Sequence, residues 1–231
     1  MNYKKVIAAE FISRPNRFIA NVIINGKTET VHVKNTGRCR ELLIPGCTVY
    51  LSCSDNPKRK TKYDIIAVIK ERNARPPLLI NMDSQIPNDV AMEWLKQSNL
   101  FSENAEIKRE VKYGNSRFDF YIKDGSRKIF LEVKGVTLEQ DGIAMFPDAP
   151  TERGIKHINE LISCIKDGFE AYLLFVIQMK GACEFHPNNI THPQFGQALL
   201  TAEQKGVKII VMDCIVTENS MKIDSPVKYI L

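Results

Sequence analysis

The chain has 231 residues, 44% hydrophobic and 26% charged, an ordinary globular composition that excludes a disordered chain, a coiled coil and a collagen-like repeat. No apolar run approaches the roughly 18–20 residues that span a bilayer. The N-terminal MNYKKVIAAEFISR has no long apolar core, so a secretory signal is not expected and a cytoplasmic location is. The formal charge of +5 is unevenly divided: residues 1–84 carry 15 basic and seven acidic side chains, residues 85–231 carry 17 and 20. A basic first third on a slightly acidic remainder points to two modules, the first a candidate polyanion surface.

In chain order, KKVIAAEFISR, RFIANVIIN, KTETVHVKN, CTVYLSCS and YDIIAVIKE read as strands, rich in Val, Ile, Phe, Tyr and Thr. Turn residues separate them at Pro15-Asn16, Asn25-Gly26, Pro45-Gly46 and Asn56-Pro57. Five short strands suit a small closed barrel of the oligonucleotide-binding (OB) type. Residues 81–89 read as a linker into a helix, NDVAMEWLKQ, striped by Val90, Trp94 and Leu95. Three strands follow in IKREVKY, SRFDFYI and KIFLEVKGV. Then come a helix at about 151–166, the buried strand AYLLFVI, a helix over Gln194–Lys205 and a last buried strand, VKIIVMD. The order predicts an OB-like β-barrel over residues 1–83 and a mixed-sheet α/β domain over 84–231. The six cysteines form no C-x-x-C pair and read as structural thiols.

The segment SRFDFYIKDGSRKIFLEVKGV carries the chemistry. With Gly125-Ser126 as a two-residue type II′ loop, Ile122 faces Ile129, Phe120 faces Leu131 and Asp119 faces Glu132. One face of the hairpin is then wholly apolar, and the other carries Asp119, Glu132 and Lys134. Like charges opposite one another destabilise a sheet. Mg²⁺ or Mn²⁺ bound by the two carboxylates would remove the repulsion and could polarise a phosphodiester. Lys134 would position the nucleophile or stabilise phosphate charge. Acid-x-Lys alone is weak, occurring also at Glu106, Glu110 and Glu203. The plain alternative is a solvent-facing hairpin edge with incidental charges.

Glu93, on the preceding helix, is a candidate third carboxylate, and Arg153 and Lys156 are candidate phosphate contacts. His157 is a weaker candidate base. Gln178 either points into the cleft or caps its strand. In the basic module, Arg38, Arg40, Lys58, Arg59 and Lys60 lie in turns or loops where OB barrels hold single-stranded nucleic acid. Phe18, Tyr50 and Tyr63 serve either base stacking or the barrel core.

The stretches NRFIANVIINGK, VHVKNTGRCREL, PGCTVYLSCSDNPKRKTKY, REVKYGNSRFDF, FLEVKGVTL and FPDAPTERGIKHINEL together resemble the sugar fermentation stimulation protein A family, over most of the chain and in order. The resemblance implies an OB-like domain followed by a PD-(D/E)XK nuclease-like domain, with the motif on Asp119, Glu132 and Lys134 and with Glu93 as the helix acid. It also implies DNA binding. Gly135 and Ile155 depart from the polar residues expected in many relatives, which puts the pocket rim in doubt. Two functions follow as expectations. One is a Mg²⁺- or Mn²⁺-dependent DNA endonuclease. The other is a non-catalytic DNA-binding regulator of sugar (maltose-type) utilisation genes that retains the nuclease fold. RNA remains an alternative partner, since an OB barrel suits either nucleic acid, and a homodimer is an option for cutting both strands.

Overall fold

The computed structural model describes residues 1–35, 37–73 and 75–231. Its first five strands follow the turns read from the sequence. Strand β1 (Val6–Ser13) pairs antiparallel with β2 (Ile19–Ile24) and with β4 (Thr48–Cys53); β2 pairs with β3 (Lys27–Val33), and β4 with β5 (Tyr63–Arg72). A short parallel contact of His32 and Val33 with Asp64 and Ile65 closes the barrel, which removes the open edges of a flat sheet. Asn25 and Gly26 join β2 to β3 with φ of 49° and 76°. Two positive φ values make the tight turn whose twist matches the paired strands. Ala20, Val22, Val31, Val33, Val49 and Leu51 alternate along their strands and fill the interior.

A sixth strand, β6 (Arg75–Asn81), pairs with the outer side of β5; it was not expected. Pro76 and Pro77 read as strand breakers, yet they cost little at the start of an edge strand, where a missing N–H goes unnoticed. Strand β6 carries the chain out of the barrel, and Asn81 N–H donates to Gln178 O at 2.9 Å on the far side of the seam.

The second part begins with α1 (Ile86–Gln97), then β7 (Glu106–Tyr113), β8 (Ser116–Asp124) and β9 (Arg127–Val136). The short β10 (Leu138–Gln140) and β11 (Ile143–Phe146) precede α2 (Glu152–Lys166), β12 (Glu170–Ile177), β13 (Glu184–Pro187) and α3 (Pro193–Gln204). β14 (Lys208–Thr217), β15 (Ser220–Pro226) and β16 (Lys228–Tyr229) end the chain. The main sheet runs β15-β14-β12-β9-β8-β7, parallel at its centre and antiparallel at both flanks. Strand β12 is buried on both faces, as its unbroken apolar run predicts. Helix α1 packs Val90, Ala91 and Leu95 with Phe120, Ile122, Ile129 and Leu131 on one face. Helices α2 and α3 cover the other, bringing Ile158, Leu161, Phe195 and Leu199 against Phe175. The small sheet β10-β11-β13-β16 was not read from the sequence, because strands of two to four residues carry no usable periodicity.

The two parts share one apolar core, in which Phe11, Val33 and Met82 belong to the same cluster as Phe175 and Phe185. An ion pair crosses the same seam, Lys70 Nζ reaching Glu139 Oε2 at 2.7 Å, and Lys34 Nζ ties the segment leaving the barrel through Asp83 Oδ2 at 2.5 Å. Among the described residues no helix is long and apolar enough to cross a membrane.

Candidate metal and phosphate site

Strands β8 and β9 take the register that their turn dictates, pairing Ile122 with Ile129 and Phe120 with Leu131. Gly125 supplies the positive φ, 61°, that begins a type II′ loop. The ladder stops at Phe120–Leu131. One step further, Asp119 Oδ2 accepts from Val133 N–H at 2.7 Å, and Asp119 Oδ1 accepts from Asn88 Nδ2 at 2.8 Å. A strand N–H and the first turn of α1 therefore fix one carboxylate.

Glu132, only 3% exposed, is held differently. Its Oε1 takes Lys134 Nζ at 2.5 Å and His157 Nδ1 at 2.5 Å. Lys134 reaches it because residues two apart on β9 share a face, and His157 arrives from the buried side of α2. Glu132 Oε2 is buried with no partner. A buried acceptor left unpaired costs about 1–3 kcal/mol, more when charged, so this atom needs a cation or water to complete it.

The two acids also differ in proton affinity. Burial, and then the neighbouring Glu132 charge, push Asp119 up to about 6, against the pull of Val133 N–H, Lys134 and Asn88. Burial works against Glu132 as well, but the Lys134 ammonium and His157 outweigh it and hold that carboxyl below its usual range. Two crowded hard oxygen donors, one of them with an empty valence, fit a divalent cation. The cation would relieve the repulsion that raises Asp119.

The structure brings Asp119, Glu132 and Lys134 together but not Glu93. The Glu93 carboxylate is 48% exposed and pairs with the Met1 amine at 2.6 Å. Five residues along a helix turn it by about 140°, so the α1 side that offers Asn88 to Asp119 cannot offer Glu93. Among the described residues no group of three or more His, Cys, Asp and Glu is placed to hold a metal. Arg153 and Lys156 lie exposed on α2, with Arg153 Nε 3.4 Å from His157 Nε2 and Lys156 Nζ 3.4 Å from Asn115 O.

In the barrel, Arg38 and Arg40 are exposed and line a cleft of about 410 Å³ with Arg14 and Arg17. Arg14 is a clamp, donating to the carbonyls of Arg17, Asn35, Gly37 and Arg38. Lys58 and Lys60 are exposed, whereas Arg59 grips Asp64 with both terminal nitrogens, at 2.7 and 2.5 Å. Despite burial, Arg59 and His32 hold the Asp64 carboxyl below its usual range, so the Arg59 charge is already matched. Tyr50 is buried, and Tyr63 packs against the core; Phe18 is 47% exposed.

Gln178 is a buried seam residue whose Nε2 donates to the carbonyls of Asn81 and Asp83. It also explains Gly135. A Cβ at Gly135 would stand 2.4 Å from Gln178 Oε1 and 2.7 Å from Pro87 Cγ, so no polar side chain fits there. The free cysteines Cys39, Cys164 and Cys214 are buried, while Cys183 is exposed. Asn88 escaped the sequence reading, since nothing local announces a contact spanning 31 residues.

The family described as the sugar fermentation stimulation protein RE domain matches residues 85–220, and the SfsA N-terminal OB domain matches residues 12–74. A sugar fermentation stimulation protein homolog of Clostridium beijerinckii is 54% identical over 231 residues, covering 100% of both chains. Another, of Desulfitobacterium hafniense, is 57% identical over 222 residues, covering 96% of this chain and 95% of that one. SfsA of Pyrococcus furiosus, solved in complex with Ca²⁺, is 26% identical with a TM-score of 0.86, covering 100% of this chain and 98% of its own.

Proposed function

This chain belongs to the sugar fermentation stimulation protein family, and we propose that it is a divalent-metal-dependent nuclease acting on DNA by phosphodiester hydrolysis. One observation carries the reading: Glu132 Oε2, buried and unpartnered, beside a second acid whose proton affinity is raised by burial and by Glu132 itself. Asp119 and Glu132 would hold the metal, Mg²⁺ or Mn²⁺. The Pyrococcus relative taken with Ca²⁺ supports a hard divalent cation as the natural occupant. Such an ion, when bound, polarises a phosphodiester and lowers the pKa of a water.

The chain's own residues do the rest. Asn88 and Val133 N–H orient Asp119. Lys134 and His157 both occupy Glu132 Oε1, which leaves Oε2 for the cation. Lys134 acts on both carboxylates and is placed to orient the attacking water or to stabilise charge growing on the phosphate. Arg153 and Lys156, with Arg38, Arg40, Lys58 and Lys60 on the barrel, supply the phosphate contacts that give affinity without sequence preference.

Purified protein is to be incubated with linear, nicked and overhanging DNA in Mg²⁺ or Mn²⁺. Cleavage is expected, to be lost in Asp119→Ala and Lys134→Ala and kept in Glu93→Ala. Cleavage that persists in Asp119→Ala overturns the assignment.

A further inference from the structure

The segment from Asn81 to Asn88 leads from the barrel into α1 and is held by its own side chains. Asn81 Oδ1 accepts from Asp83 N–H and Asp83 Oδ1 accepts from Gln85 N–H, both at 3.0 Å. In each of these Asx turns a side chain stands in for a backbone carbonyl. Gln85 is the N-cap of α1, and Pro87 stands in the first turn, where its ring fixes φ near the helical value. Asn88 follows directly and donates to Asp119 Oδ1. The aim of the Asn88 amide is therefore set by the turn before the helix.

That turn is clipped to the barrel by Lys34, the residue after β3. The Lys34 carbonyl accepts from Ser84 Oγ at 2.6 Å and from Ser84 N–H at 3.3 Å. Its ammonium reaches Asp83 Oδ2 at 2.5 Å. Asp83 is 1% exposed, and among the described residues Lys34 is the one cation paired with it. The Tyr3 hydroxyl is a longer second partner, at 3.2 Å. A buried carboxylate stripped of its cation takes up a proton or turns toward water, and either response disturbs the bond to Gln85. The other side of the helix start has no slack. Pro87 packs against β9 at Gly135 so closely that a Cβ there would stand 2.7 Å from Pro87 Cγ. The first turn of α1 is thus gripped between the barrel and the strand that carries Glu132 and Lys134.

We infer that Lys34 is a positioning residue for the metal site: through Asp83 and the first turn of α1, the barrel sets the aim of Asn88 and with it the Asp119 carboxylate. The inference rests on reading Asp119 as a metal ligand. Charge gives the test its sign. Removing a cation that acted only through its field would tighten a divalent ion at the two carboxylates, whereas loss of positioning weakens it. Mn²⁺ is titrated by calorimetry into wild type, Lys34→Met, Lys34→Arg, Asn88→Ala and the Lys34→Met/Asn88→Ala double variant, with melting curves to show that each folds. Lys34→Met is expected to weaken binding about fivefold, less than loss of a group touching the ligand itself. Lys34→Arg, which keeps the charge for Asp83, should stay within about twofold of wild type. The double variant should lose no more than Asn88→Ala alone, because both losses act through one amide. Should Lys34→Met fail to fold, Lys34→Gln replaces it with the same expected loss. Lys34→Met binding as tightly as wild type or more tightly, or losses that multiply in the double variant, overturns the inference. A metal-free readout separates it from the nuclease reading. In EDTA the Asn88 side-chain amide signal in NMR spectra should move in Lys34→Met and stay in place in Lys34→Arg. Wild type that takes up no Mn²⁺ but shows this pattern sinks the metal reading and spares the positioning. Mn²⁺ uptake with an Asn88 signal unmoved by Lys34→Met does the reverse.

Discussion

Glu132 and Glu139 lie seven residues apart along one stretch of chain, and both are almost fully buried, at 3% and 2% exposure. Their surroundings are opposite. At the seam, Glu139 Oε1 accepts from Gly142 N–H at 2.7 Å with Arg72 Nη1 at 3.6 Å, and Oε2 accepts from Lys70 Nζ at 2.7 Å. Both of its oxygens are satisfied by fixed protein groups. In the cleft, Glu132 crowds its two donors onto one oxygen and leaves the other bare. It also faces a second acid instead of a second cation. A buried carboxylate with all valences filled is part of the architecture; one with a valence withheld is waiting for a ligand. The barrel and the α/β domain are joined by the first kind, and the proposed chemistry uses the second.

The largest expected effect falls on the seam. Glu139→Ala strands Lys70 and Arg72 in a partly buried site and should lower the unfolding free energy by about 3 kcal/mol, read from urea titrations. A loss below about 1 kcal/mol would mean that the seam ion pairs are ornamental. The cleft acid behaves in the reverse sense. Asp119 holds its proton up to about 6 in the folded chain but only to about 3.9 unfolded. Its contribution to metal-free stability is therefore full below pH 4 and lost as the pH rises through 6, by about 3 kcal/mol. Asp119→Asn should be progressively more stable than wild type between pH 4 and 7.5 without metal. A constant gap across that range would contradict the shared-charge account. Glu139, held below its usual range because Lys70, Gly142 N–H and Arg72 outweigh burial, contributes stability that is lost only on acidification.

A smaller effect separates the two sides of α1. Asn88→Ala removes the amide that orients Asp119 and should weaken Mn²⁺ binding about tenfold, measured by calorimetry. Glu93→Ala should leave that affinity unchanged and cost under about 1 kcal/mol of stability, being an exposed pair with the N-terminus. The opposite ranking would restore Glu93 as a ligand.

What the sequence could disclose follows from distance along the chain. The register from Asp124–Arg127 to Phe120–Leu131 was legible because a tight turn at Gly125 and strict alternation fix it over a few residues, whereas the expected Asp119–Glu132 pair lies one step beyond the end of the ladder, where Asp119 takes the Val133 N–H instead. The barrel strands were legible for the same reason, each bounded by its own turn. Strand β6 was hidden by Pro76 and Pro77, whose cost depends on an edge position that only the folded sheet defines. Asn88 reaches across 31 residues to Asp119, and His157 across 25 to Glu132. Pattern reading cannot bring such pairs together: on the helix, charge singles out Glu93, whereas helix phase places the neutral Asn88 against Asp119. Arg59 looked like its lysine neighbours until the fold placed Asp64 against it.

The most direct test of the central claim is isothermal titration of Mn²⁺ into three proteins: wild type, Glu132→Gln and Glu139→Gln. The account predicts saturable binding to wild type and to Glu139→Gln, and loss of that binding in Glu132→Gln. Wild type that takes up no metal, or Glu132→Gln that binds as tightly as wild type, would contradict it.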